Sequence, residues 1–356
     1  MHKLGGGAAI AGMLALGACS DRSAPPEHVA AAALALEPRL GREPLLGPPE
    51  AGWRLPPAGD FNQDGLQDVL WRDHTANEIT VALMNGTRLL EMGPSLPGPP
   101  GADWVVVNGD GDFNLDGMAD VLWYDPPTNR IEVWLMQGTV PLEQGAAIQG
   151  PPGDGWTCVP AADFNLDGMA DVLWYNPTTN RMSVWLMAGT EPFLRGPEIP
   201  GPGGGWLADF AADFDRDGMA DVFWVDRTEH RMAVWLMDGT EVREPGPSLP
   251  GQPGDGWILA AAGDFNADRV ADALWFDPRT RRSRISLMWG NGLLEQGADI
   301  PGPSGGDWIV GDASDCNGDG MWDMLWLNTS PLEMRVWLMD GTAPFERGES
   351  IAGPRR

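Results

Sequence analysis

A chain of 356 residues with 48 Gly, 33 Pro and 18 Trp has few long stretches free of helix breakers. It points to many short strands joined by tight turns rather than to a helical bundle. Apolar residues make up 43% and exclude general disorder, while a formal charge of -28 excludes a nucleic-acid surface and makes cations the natural partners.

The amino terminus has the pattern of an export signal. Lys3 supplies a positive start, Leu4 to Gly17 is apolar, and Leu16-Gly17-Ala18-Cys19 resembles a bacterial lipobox. The apolar run is too short to cross a bilayer comfortably, which favours a cleaved peptide. The expected organisation is a lipoprotein-type signal over residues 1–18, a largely disordered tether over 19–37 and a folded domain over 38–356. Cys19 then becomes the lipidated first residue, and an ordinary cleaved signal is the alternative. The expected location is the bacterial cell envelope, by lipid anchor only, or outside the cell. Residues 38–48 resemble the segment Glu191 to Pro202 that ends another unit, and they predict an additional outer strand whose blade is left open.

From there the chain repeats about every 51 residues, a period that signals stacked supersecondary units. Trp53, Trp104, Trp156, Trp206, Trp257 and Trp308 open the units. An acidic loop follows, then a second Trp (Trp71, Trp123, Trp174, Trp224, Trp275, Trp326), then a Leu-Met pair such as Leu135-Met136. The stretch Asp112 to Tyr124 recurs unchanged at Asp163 to Tyr175.

Within the second unit the predicted strands are Trp104 to Asn108, Ala119 to Tyr124, Ile131 to Met136 and Leu142 to Ile148. Gln137-Gly138 here, with Asn85-Gly86 and Asp238-Gly239 elsewhere, predict hairpin turns in which Gly takes a positive φ at no steric cost. The second and third strands are apolar on both faces, as in Val121-Leu122-Trp123 and Val133-Trp134-Leu135-Met136, so both faces must be covered. A ring of sheets packed face to face achieves this. The fold class is therefore all-β, a six-bladed β-propeller of four-stranded blades. A parallel β-helix has shorter coils. Separate small domains would leave each Trp-rich face wet, at about 25 cal/mol per Å².

Each acidic loop reads Asp-x-Asn/Asp-x-Asp-Gly-x-x-Asp. Hard oxygens at positions one, three and five, a Gly turn, a carbonyl at seven and a final carboxylate suit Ca²⁺. The candidate ligands are Asp60, Asn62, Asp64, Leu66 and Asp68 in the first loop; Asp112, Asn114, Asp116, Met118 and Asp120 in the second. In the third they are Asp163, Asn165, Asp167, Met169 and Asp171; in the fourth, Asp213, Asp215, Asp217, Met219 and Asp221. The fifth offers Asp264, Asn266, Asp268 and Asp272, and the sixth Asp315, Asn317, Asp319, Met321 and Asp323. Leu66 and the four Met contribute carbonyls. A strand rather than a helix follows each loop, which excludes the EF-hand fold. Clustered like charges are unfavourable without a cation, and Mg²⁺ suits the loop less because it demands rigid octahedral geometry. Arg269 stands where the fifth loop needs Gly, at a cost of about 1 kcal/mol for a positive φ. Five to six Ca²⁺ are expected, with weak or no binding in the fifth loop.

These loops, followed by Asp-Val-Leu-Trp as at Asp120 to Trp123, resemble FG-GAP or VCBS repeats, the calcium-loop propeller units also found in the integrin α-subunit head and some fungal lectins. The resemblance covers about residues 50 to 353. It implies Ca²⁺ in the first hairpin of each blade and binding or adhesion more often than catalysis. The Phe-Gly and Gly-Ala-Pro signatures of integrins are missing, so no integrin ligand carries over. The expected function is a calcium-stabilised extracellular binding or adhesion module, lectin-like, taking a carbohydrate or protein ligand. A structural cell-surface scaffold for protein partners is the alternative, and a carbohydrate-active enzyme is the less favoured one.

Four further readings concern individual residues. Most Trp recur at strand positions and are assigned to packing, whereas Trp289 and Trp322 are off-pattern and expected to be exposed toward a ligand. His2, His28, His74 and His230 do not recur in register and no nucleophile-elbow motif is present, so no catalytic activity is expected. Arg279, Arg281, Arg282 and Arg284 form either a seat for an anionic partner or a solvated hairpin. Cys158 and Cys316 lie three units apart, on opposite blades, too far to bond, and are expected to be buried free thiols.

Overall fold

The computed structural model describes residues 53–354, apart from 102 and 252. The export signal, Cys19, the tether and the 38–48 strand lie outside the described residues. Six antiparallel sheets follow one another, one per repeat. In the third blade the strands are Thr157–Ala162, Asp171–Asn176, Arg181–Ala188 and Glu191–Arg195 in spatial order, and Ile199–Pro200 also pairs with the third strand. Among the described residues no helix is long and apolar enough to cross a membrane.

The single fourth strand expected from Leu142 to Ile148 is in fact two pieces, Val140–Gln144 and Ile148–Gln149, both paired with Arg130–Gln137. The break falls at Gly145. Its N–H donates to the Val133 carbonyl (2.9 Å), and a Cβ there would lie 2.7 Å from Thr190 Cβ of the next blade. The outer strand gives way where the neighbouring hairpin closes in. That hairpin conforms to expectation: Gln137 pairs with Val140, leaving Gly138-Thr139 as the loop, with Gly138 at φ 61°.

The second and third strands carry the core, because each is apolar on both faces and lies between two neighbouring blades. All of Asp171–Asn176 is buried, and Arg181–Ala188 is buried except at its ends. The second-strand Trp side chains are fully buried in every blade. Trp174 sits 5.3 Å from Trp185 in its own blade and 5.8 Å, edge-on, from Tyr124 of the preceding one. The Tyr124 hydroxyl donates to the Trp156 carbonyl (2.7 Å), and Tyr175 repeats this toward Trp206 (2.6 Å). Aromatic packing and a hydrogen bond therefore join adjacent blades at the same place.

The ring closes by repeating these contacts between its two ends. Gly348 of the last blade meets Thr87 of the first as Gly145 meets Thr190. Leu55 and Trp71 of the first blade belong to the same buried cluster as Val310 and Leu327 of the last. Cys158 and Cys316 are buried and free, and burial pushes both thiols up.

Candidate metal-binding loops and axial cavity

The second loop shows how the acidic motif folds. Asp112 Oδ1 accepts the N–H groups of Asn114 (3.1 Å) and Leu115 (2.7 Å), and its Oδ2 accepts that of Gly117 (2.8 Å). Asn114 Oδ1 accepts from Asp116 N–H (2.9 Å), and Asp116 Oδ1 from Met118 N–H (2.8 Å). Short Asp and Asn side chains that bond their own backbone in this way fold a loop locally. Positions one, three and five thus hold the loop's own N–H groups on one tight coil. The other loops repeat the scheme, and Leu66, Met169, Met219 and Met321 each donate N–H to the position-five carboxylate.

Like-charge crowding is partly relieved without a metal. Besides these N–H groups, the position-three amide Nδ2 donates to the position-five carboxylate in Asn62–Asp64, Asn114–Asp116, Asn165–Asp167, Asn266–Asp268 and Asn317–Asp319, at 2.8 to 3.1 Å. Asp215 in the fourth loop has no such amide. There Asp213, Asp215 and Asp221 bring carboxylate oxygens within 4.8 Å of one another, and Arg243 donates to both Asp215 and Asp217. A set of carboxylate and amide oxygens on one coil fits a hard divalent cation. The fifth loop keeps this shape: Arg269 takes φ 67°, and its N–H reaches Asp264 Oδ2 (2.6 Å) as Gly117 reaches Asp112.

The ninth-position carboxylates do something the sequence did not reveal. Asp120 is buried, its Oδ2 accepting Phe113 N–H and its Oδ1 accepting Met136 N–H, both at 2.8 Å. Asp68, Asp171, Asp221, Asp272 and Asp323 make the same pair of bonds, reaching Met84, Met187, Met237, Met288 and Met339. These Met residues belong to the periodic Leu-Met pairs. Their period was visible, but their role here is a backbone N–H, which residue type does not announce.

Burial pushes these six carboxyls up to about 7, outweighing the two N–H donors, and the other loop carboxylates add to the rise. A folded pKa above the unfolded one gives stability that is complete below about pH 4 and is lost as pH climbs to about 7. Metal-free protein is therefore expected to melt at a higher temperature at pH 5 than at pH 8. Calorimetric scans at the two pH values check this, and saturation with Ca²⁺ should narrow the gap.

The loops also join one another. The position-eight N–H of each donates to the position-one carbonyl of the preceding loop: Ala119 to Asp60, Ala170 to Asp112, Ala220 to Asp163, Ala271 to Asp213 and Trp322 to Asp264, at 2.6 to 2.8 Å. Gln67 to Asp315 (3.2 Å) completes the circle. Inside it opens an axial cavity of about 390 Å³, lined by Asp112, Asp163, Asp213 and Asp264, by Asp110 and Asp312, and by Arg269 and Trp322.

Trp289 is 55% exposed, as expected, with the Arg216 guanidinium 5.7 Å from its ring. Trp322 is not freely exposed. It lies half-buried in the cavity wall, 6.5 Å from Phe265, on a Gly263 whose Cβ would fall 2.0 Å from the indole. Arg282 and Arg284 pair with Asp299, Arg281 with Asp307 and Arg279 with Asp277, so each of the four guanidiniums has a carboxylate partner within the chain. The outer rim was missed. The third residue of the fourth strand is Leu90, Leu142, Phe193, Leu294 or Phe345, between 56% and 61% exposed, and in the fourth blade it is Arg243.

Comparison with known proteins bears on the fold. No curated protein matches the chain by sequence. A Lactobacillus plantarum protein of known structure is 14% identical, with a TM-score of 0.52, covering 83% of this chain and 85% of that one. A candidate 6-phosphogluconolactonase from Bacteroides uniformis is 12% identical, with a TM-score of 0.49, over 82% and 84%. The Photorhabdus luminescens Tc holotoxin pore is 17% identical, with a TM-score of 0.46, over 84% of this chain and 14% of that one. At 14% identity the first of these is a likeness of fold alone. The FG-GAP-like repeat model matches residues 112–174, 163–224 and 213–275, each match running from one acidic loop to the second-strand Trp of the next blade. The chain is thus a six-bladed β-propeller whose residues 112–275 match FG-GAP-like repeats.

Proposed function

We propose that this propeller is a calcium-stabilised, non-catalytic binding module of the bacterial cell envelope, exported and held by a lipid on Cys19, that takes an extracellular carbohydrate or protein ligand. The observation that carries the reading is the circle of six loops. Each gathers oxygen donors on one coil, each ties a buried carboxylate to the third strand, and all are linked by backbone hydrogen bonds. Ca²⁺, when bound, supplies the positive charge that offsets the loop carboxylates. Asp112, Asn114, Asp116, the Met118 carbonyl and Asp120 would hold it in the second blade, with their counterparts in the others. The repeated acids are then spent on holding the ring rather than on proton transfer. The axial cavity with Trp322 and the apolar outer rim offer surfaces for a ligand.

At a dissociation constant near 10⁻⁴ M, as extracellular calcium modules often show, millimolar Ca²⁺ contributes roughly 1.4 kcal/mol per occupied site. The purified protein should melt higher in millimolar Ca²⁺ and return to its starting midpoint with a chelator. An unchanged midpoint would count decisively against the metal. A glycan array then separates a sugar ligand from a protein one, and hydrolysis of any arrayed sugar above background would replace the binding reading with an enzymatic one.

A further inference from the structure

The fourth blade departs from the others twice. Its loop has Asp215 where the rest have Asn, and its outer strand has Arg243 where the rest expose Leu or Phe. The two changes touch. In the other loops the Asn amide donates to the position-five carboxylate; Asp215 has no hydrogen to give, so it and Asp217 would repel. Arg243 spans them, with Nη2 on Asp215 Oδ2 and Nη1 on Asp217 Oδ2. A guanidinium stays charged at any pH a folded protein sees and presents two parallel donors to two acceptors.

We propose that Arg243 is a built-in cation for the fourth loop, one that neutralises it without metal and competes with Ca²⁺ for the same carboxylates. Asp213, Asp215 and Asp221 could otherwise close on an ion, but Asp215 is shared with Arg243. An entering ion must displace a charge that is covalently tethered and always present. The fourth loop then keeps its shape at low calcium and fills later than the first, second, third and sixth loops, which have Asn at position three and Gly at position six. This competition rests on the reading that the loops bind Ca²⁺; the neutralising role does not.

Two variants test it. Arg243→Leu installs the rim residue of the other blades and leaves Asp215 and Asp217 without a counter-ion, and the double variant Asp215→Asn/Arg243→Leu restores the pattern of the other loops. In chelator, Arg243→Leu should melt below the parent and the double variant should recover. In equilibrium dialysis at a fixed submillimolar Ca²⁺ concentration, Arg243→Leu should bind about one more ion per chain than the parent. Equal melting of parent and Arg243→Leu in chelator overturns the neutralising role. Equal calcium uptake by two proteins that both bind calcium overturns the competition. Uptake by neither defeats the calcium reading itself and the competition with it, while the melts in chelator still decide whether Arg243 holds the loop.

Discussion

Replacing Asp120 by Ala is expected to cost about 4 kcal/mol of unfolding free energy. The substitution leaves the Phe113 and Met136 N–H groups buried without acceptors, and each such orphan costs about 1–3 kcal/mol. The loss comes from the join between loop and third strand, so it should persist in chelator. Asp120→Asn keeps one acceptor oxygen and should cost about half as much. Asp116→Ala removes a less buried group whose bonds are local, and about 1 kcal/mol is expected. Urea unfolding followed by Trp fluorescence gives all three values. If Asp116→Ala proved the more damaging in chelator, the ninth position would not be the anchor.

Trp174→Ala should cost about 3–5 kcal/mol, the range for emptying a fully buried Trp site. Its ring is shared by two blades: it meets Trp185 in one and Tyr124 in the other, and a Cβ on Gly150 would lie 2.6 Å from its edge. The cavity would therefore open between blades rather than within one. Trp174→Phe should be much milder, because it keeps an aromatic ring there and removes an indole N–H that donates to no acceptor among the described residues. The same urea titration checks both variants. A Phe variant as unstable as the Ala one would mean that the indole N–H has a partner important to the fold. Gly150→Ala should mimic part of the damage by pushing on the same ring.

Much of the architecture was legible along the chain. The period set the number of blades, the doubly apolar strands required cover on both faces, and the Gly after Gln137 or Asp238 marked the hairpins. These features are local, and local chemistry decides them: a Gly at positive φ, a coil of short acidic side chains, or a strand with two apolar faces behaves alike wherever it stands. The acidic motif likewise marked the short side chains at positions one, three and five that bond each loop's own backbone.

What the residues could not announce lies in backbone groups and in neighbours from other repeats. Asp120 meets a main-chain N–H sixteen residues away at Met136, and every non-Pro residue carries such a donor, so only the packed sheet selects the partner. The loop-to-loop circle, the fourth strand broken at Gly145 and the half-burial of Trp322 against Gly263 arise in the same way, from one blade arriving beside the next. Arg243 was an ordinary charge in a surface strand until the sheet brought it to Asp215 and Asp217. Sequence alone determined the repeating unit and its acidic coil, because residue type dictates local conformation. The closed ring decided which donors those carboxylates meet, because partners between strands and blades exist only once the sheets are packed.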